Sequence, residues 1–137
     1  MKADSLYDRP VVVNLQEDEG TVEGYVVNSN AVQIVNWFSK HGIDNDALIA
    51  EIRAKYPRIA MLNNVNVYDE FKGQGYGNFL LGRFIDDVGY EDAKAILLIA
   101  DTAESQAEGF DLVQWYAKNG FAVLHQTGGG PLMLKEL

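Results

Sequence analysis

The sequence predicts one α/β domain, and three observations carry that prediction. The chain has 137 residues, close to the modal size of a domain, with 47% hydrophobic and 11% aromatic residues to fill a core. Its apolar residues recur at strand spacing in some segments and at helical spacing in others. One run, Ala95–Ala100, is apolar throughout, as a central strand covered on both faces must be. No repeat, low-complexity stretch or interdomain linker interrupts the pattern, so residues 1–137 form one unit.

Taken in order, Val11–Val13 and Thr21–Val27 are β-rich runs separated by the acidic, glycine-ended Gln16–Gly20, which predicts a hairpin. Ser29 and Asn30 are candidate caps for a helix carrying Val32, Val35, Trp37 and Phe38, which ends near His41 and Gly42. A second helix, capped near Asp44, carries Ala47, Leu48, Ile52 and Tyr56 and stops at Pro57. From Arg58 the period becomes two: Ile59, Met61, Asn63, Val65 and Val67 predict a strand with one well-buried face. Leu80, Leu81, Phe84, Ile85 and Val88 restore a helical stripe up to Gly89. After Ala95–Ala100 and a polar connection, Asp101–Glu108, a helix from about Gly109 to Lys118 shows Phe110, Val113, Tyr116 and Ala117 on one side. Phe121–Leu124 and Pro131–Leu134 are the closing strands, around Gly128–Gly130.

Charge and composition exclude several functions. Lys and Arg number 11 against 20 Asp and Glu, a formal net charge of −9. That argues against nucleic-acid binding, where positive charge supplies most of the affinity, and favours cationic partners. With no cysteine and only His41 and His125, there is no thiolate metal site and no cysteine nucleophile, and no metal is expected. The first residues are polar and acidic and no apolar run is long enough to span a bilayer, so a cytoplasmic protein without membrane attachment is expected.

The strongest local signal is the strand–loop–helix segment around Lys72-Gly73-Gln74-Gly75-Tyr76-Gly77. Glycines there allow positive φ and close approach of a ligand, and the following helix points free N–H groups and its positive dipole end into the loop. The product is an anion site suited to phosphate or pyrophosphate. An ordinary strand-to-helix turn does not need three glycines in five residues. A Walker A loop requires Gly-x-x-x-x-Gly-Lys-Ser/Thr, which is absent. A Rossmann fingerprint counted from Gly73 would place its third glycine at Asn78, beyond Gly77.

The segment instead resembles motif A of the GNAT superfamily of N-acetyltransferases, whose loop reads Arg/Gln-x-x-Gly-x-Gly/Ala after a strand ending in Val. Val67 stands at the strand Val, Phe71 at a Tyr/Phe position, Lys72 at the Arg/Gln position, and Gly75 and Gly77 at the glycines. Downstream, Tyr116-Ala117-Lys118-Asn119-Gly120-Phe121 is similar to the family's Tyr-x-x-x-Gly-Phe segment. The ordered pair spans Ile59 to Leu137. Lys72 and Gly109 depart from the family pattern, Gly109 standing where an Asn is usual upstream of the Tyr. The hairpin here also precedes both early helices, whereas the family commonly places it after them.

The resemblance implies a GNAT-like fold, a mixed central sheet with helices on both faces, with residues 1–58 on the acceptor side and 59–137 on the acetyl-CoA side. It implies acetyl-CoA as cosubstrate, a primary amine on a small molecule or protein as acceptor, and pairing of two copies through the C-terminal strands. Backbone groups of Val65 and Val67 would hold the pantetheine arm. The amides of Lys72, Gly73, Gln74, Gly75, Tyr76, Gly77 and Asn78 would hold the pyrophosphate. Tyr116 would give a proton to the departing thiolate, a nearly balanced transfer between a phenol of pKa ~10 and a thiol of ~8.5. From spacing alone Tyr116 is as much a core aromatic sharing a face with Phe110 and Val113. Asp69, Glu70 and Glu104 are candidate bases and equally ordinary surface carboxylates. A CoA-binding or partner-binding protein on the same fold is the alternative to an enzyme.

Overall fold

A computed structural model describes residues 10–101 and 111–137. Two antiparallel strands open it, β1 (Val11–Glu17) and β2 (Gly20–Asn28), followed by helices α1 (Val32–Lys40) and α2 (Asp46–Lys55). Then come β3 (Arg58–Val67), a 3-10 turn (Asp69–Phe71), α3 (Tyr76–Tyr90), β4 (Ala95–Ile99), α4 (Leu112–Lys118), β5 (Ala122–Thr127) and β6 (Gly130–Glu136). The six strands form one mixed sheet in the order β1-β2-β3-β4-β6-β5, in which only β3 and β4 run parallel. The hairpin does precede both early helices. The excursion from Asn28 through α1 and α2 returns to Arg58, which pairs with that same Asn28.

Each face of the sheet has its own core. On one face Ile34, Trp37 and Phe38 of α1 and Ile52 of α2 pack on Val27, Ile59, Met61, Ala95 and Leu97. On the other Leu80, Leu81, Phe84 and Val88 of α3 and Tyr116 of α4 pack on Val22, Val26, Ala60, Leu62, Ile96 and Leu98. The apolar run of β4 is accounted for: it is flanked by β3 and β6, and Ala95–Leu98 are buried. Helix caps differ in detail from the sequence reading. Asn45, not Asp44, caps α2 by accepting from the N–H of Leu48 at 3.1 Å, and the N-cap of α1 is Ala31, which makes no side-chain cap bond. Asp111 caps α4, accepting from the N–H of Gln114 at 3.0 Å. Glu104, Gly109 and Phe110 lie outside the described residues.

The expectation of one buried face along β3 is corrected. Ile59 and Met61 face the α1 side, but Val65 and Val67 pack on the α3 side. The cause is a β-bulge. Leu62 pairs with Gly24 and Asn64 with Glu23, which leaves Asn63 as the extra residue, and an inserted residue shifts the alternation by one. Gly24 is required opposite it: a Cβ there would collide with the Met61 carbonyl and lie 2.6 Å from the Phe84 ring.

Candidate active site

The site begins where two parallel strands part. β3 and β4 pair only over Ile59–Met61 and Ala95–Leu97, yet β3 continues to Val67. Beyond Met61 the sheet therefore opens as a wedge at the carboxyl ends of its two parallel strands, the usual position for a ligand crevice. The bulge decides which backbone groups line it. Tyr68 N–H donates to Glu19 C=O at 2.8 Å, so by the alternation of an antiparallel ladder Asn66 and Asn64 bond to β2. The N–H and C=O of Val65 and Val67 are then turned the other way, to the edge that β4 has left. Upstream, Lys94 N–H donates to Arg58 C=O at 2.8 Å, so the even-numbered residues face β4 there. The extra residue at Asn63 reverses that parity.

At the mouth of the wedge lies the glycine loop. Gly73 and Gly75 have φ of +79° and +83°, the left-handed region that any L side chain strains, and a Cβ at either would meet nothing within 4 Å. Gly75 is the N-cap of α3 and has no side chain with which to cap it. The N–H groups of Tyr76, Gly77 and Asn78, in its first turn, have no carbonyl partner inside the helix. Open space above a bare, positive helix end fits an anionic group. Lys72 contributes differently from its neighbours. Its N–H is used by Asp69 C=O at 3.3 Å, and its ammonium pairs with Asp69 at 3.2 Å on the surface. Gln74 Nε2 donates to Glu70 C=O at 3.3 Å, and the rings of Phe71 and Tyr76 meet edge to face at 5.4 Å, closing the loop on itself.

The sequence reading missed a clamp across this loop. Trp115 Nε1–H on α4 donates to Asn78 Oδ1 at 2.8 Å, and Asn119 Nδ2 donates to Trp115 C=O at 2.8 Å and to the same Asn78 oxygen at 3.4 Å. A Cβ on Gly77 would sit 3.3 Å from the Trp115 ring and 3.7 Å from a Val67 methyl, so the glycine there makes room for the indole. The usable signal was the Trp beside Tyr116, on the helix already assigned to the site.

Tyr116 is buried in the α3-side core, its ring 5.4 Å from that of Phe121 and 5.0 Å from that of Trp115. Burial pushes its phenol up to about 12. It is therefore fully protonated at neutral pH. Complete transfer of that proton to a thiolate whose acid has a pKa of ~8.5 is uphill, not balanced. Asp69 and Glu70 are exposed beside the loop. His41 sits at the end of α1 with its ring 4.6 Å from Trp37, and its pKa is lowered by burial and by Lys40.

No family model and no curated protein sequence matches the chain. Solved structures do. The PaiA N-acetyltransferase of Thermoplasma acidophilum, in complex with coenzyme A, superposes with a TM-score of 0.59 at 16% identity, over 99% of this chain and 65% of that one. A polyamine N-acetyltransferase of Drosophila melanogaster gives 0.60 at 13% identity, over 90% of this chain and 72% of that one. A mosquito arylalkylamine N-acetyltransferase-like protein gives 0.57 at 13%, over 87% and 68%. The chain thus spans less than two thirds of the first of these. Among the described residues no helix is long and apolar enough to cross a membrane. At these identities the likeness is one of architecture, and the chain has the α+β fold of the GNAT N-acetyltransferases.

Proposed function

We propose that the protein is an N-acetyltransferase that moves an acetyl group from acetyl-CoA to a primary amine by direct attack. The observation that carries this reading is the wedge with a glycine-built anion site at its mouth: an edge of free backbone groups beside a bare helix end. A pantetheine arm carries amides that can pair with the N–H and C=O of Val65 and Val67 as an added strand would. The pyrophosphate would rest on the amides of Gly73–Asn78 with Lys72 alongside, and the Trp115–Asn78 clamp would hold the helix end in place. In this division residues 59–137 serve the thioester and residues 1–58 the acceptor, within one domain.

The thioester supplies the activated acetyl group. The chain's part is to fix its carbonyl beside the amine and to stabilise the leaving sulfur. Tyr116 serves the second task. The ammonium first gives one proton to solvent, and the free amine forms the N–C bond as the C–S bond breaks. The nitrogen's surplus proton then leaves to solvent. With its phenol near 12, Tyr116 donates a hydrogen bond to the sulfur as charge builds, and the thiolate takes its proton from solvent. The burial of Tyr116 also favours a second reading, a CoA-binding protein without turnover.

One experiment separates the readings. Thermal stabilisation is measured with acetyl-CoA, CoA, NAD and ATP, and thiol release is then followed with a panel of primary amines. Stabilisation by both CoA species, with thiol release that depends on the amine, supports the transferase. Stabilisation without turnover, unchanged in Tyr116→Phe, supports the binding protein. No response to either CoA species overturns both.

A further inference from the structure

A second concavity meets the wedge from the opposite face of the sheet. It has a volume of about 430 Å³ and is lined by Pro10, Val12, Asn14, Glu23, Gly24, Tyr25, Gln33 and Asn63. Its position follows from the bulge. Asn63 is the extra residue at which β3 leaves β4, and Glu23 lies directly across β2 from Asn64. The cavity and the wedge therefore share Asn63 as a common wall, one reached from the α1 side and the other opening beside the glycine loop.

The lining is chemically one-sided. Among the described residues Glu23 is its single carboxylate, and none of the described Lys or Arg residues lines it. Gln33 on α1 adds an acceptor: its Oε1 is buried with no hydrogen-bond partner among the described residues. A buried carbonyl left without a donor is costly, so this oxygen wants an N–H. Asn14 and Asn63 add amides, while Pro10, Val12 and the Tyr25 ring form an apolar wall. Tyr25 is half-buried, and burial raises its phenol, so that ring stays neutral. One anion, acceptors seeking donors and one apolar wall suit a single ammonium on a compact apolar body. A polyamine would need further carboxylates along its length, and an acidic or phosphorylated acceptor would meet Glu23 with like charge.

Resting on the transferase reading above, we propose that this cavity is the acceptor site, that it takes a small monoamine with an apolar tail, and that Glu23 determines that specificity. Glu23 holds the ammonium, with Gln33 Oε1 taking a further N–H, and Pro10, Val12 and Tyr25 receive the tail. The amine thereby reaches the bulge from the face opposite the cosubstrate.

The test uses 2-phenylethylamine as probe, with 2-phenylethanol and spermidine as comparators, on the intact chain without cosubstrate. Calorimetric binding of the amine should be lost at least tenfold in Glu23→Gln and unchanged in Glu51→Gln on the far helix. 2-Phenylethanol should bind no better to wild type than to Glu23→Gln. Gln33→Leu removes the unpartnered carbonyl, so it should weaken the amine without lowering Tm. Backbone amide shifts on titration should centre on Glu23, Tyr25 and Asn63. Equal binding to wild type and Glu23→Gln, shifts centred elsewhere, tighter binding of spermidine than of the monoamine, or no amine binding to wild type each overturns the proposal. Thiol release from acetyl-CoA is scored separately. Amine-dependent release that Glu23→Gln leaves intact sinks this site and keeps the transferase. Glu23-dependent amine binding with no response to either CoA species keeps the site and sinks the transferase.

Discussion

The two halves of β3 have opposite roles although they are one continuous strand. Arg58–Leu62 is hydrogen-bonded on both edges and carries Ile59, Ala60, Met61 and Leu62, all buried. Asn63–Val67 keeps β2 on one edge only, and its asparagines are exposed. The first half holds the sheet together. The second offers backbone groups to a ligand, because β4 and β6 continue together while β3 bends away. A single extra residue marks the change from core strand to open edge.

The comparison predicts that substitutions in the closed half change stability and those around the open half change binding. The largest effect is expected for Met61→Ala, which empties a fully buried position and should cost about 2–5 kcal/mol in urea unfolding. Acetyl-CoA affinity should stay within a few-fold of wild type under conditions where the variant is folded. A drop in affinity as large as the drop in stability would erase the distinction between the halves.

Gly75→Glu is the converse. The left-handed φ should cost about 1–2 kcal/mol of stability, while charge at the helix end should weaken CoA binding by about a hundredfold or more. Gly75→Ala separates the terms, since it keeps the strain without the charge. If the glutamate variant binds CoA normally in calorimetry, the loop is not the anion site.

Tyr116 belongs to the core in packing and, in the proposed reading, to the open half in function, which Tyr116→Phe tests. With its folded pKa near 12 and an ordinary unfolded value of ~10, the neutral phenol favours the folded state. That contribution is fully present below pH ~10 and is lost as pH rises from there through about 12, to a total of about 3 kcal/mol. Alkaline unfolding of the phenylalanine variant should lack this limb. At neutral pH kcat should fall about tenfold or more with KM little changed, as expected when one transition-state donor is removed. An unchanged kcat would leave Tyr116 a core residue only.

Lys72→Ala should give the smallest effect. Its partner Asp69 has a fully solvated side chain, so the pair adds little and stability should change by less than about 0.5 kcal/mol. CoA affinity should fall only several-fold, with a shallower dependence on salt. A loss as large as that of Gly75→Glu would mean that the lysine, not the amide loop, holds the anion.

Much of this was legible in particular residues. The glycines at 73 and 75 announced a backbone with positive φ, and the all-apolar Ala95–Ala100 announced a strand with neighbours and cover on both sides. The hairpin before the helices was legible from the order of periods. The bulge was not read, although Leu62-Asn63-Asn64-Val65 contains its trace: two polar residues in succession shift an alternation by one. The Trp115–Asn78 clamp joins positions 37 residues apart, and nothing local to either announces the other. Glu23 gave no signal at all, being one carboxylate in an acidic hairpin.

Local chemistry by itself therefore determined which segments are strands and helices and where the backbone is bare, because period and φ preference are properties of neighbouring residues. It also determined that bulk charge offers an anionic ligand no attraction: there are 6 basic and 9 acidic residues up to Arg58, and 5 and 11 beyond it. Only the tertiary structure decided which edge of β3 is open, which face each valine of that strand takes, and that a cavity holding Glu23 meets the wedge at Asn63. Those follow from pairing between distant strands, where one unpaired residue reverses the direction of every group after it.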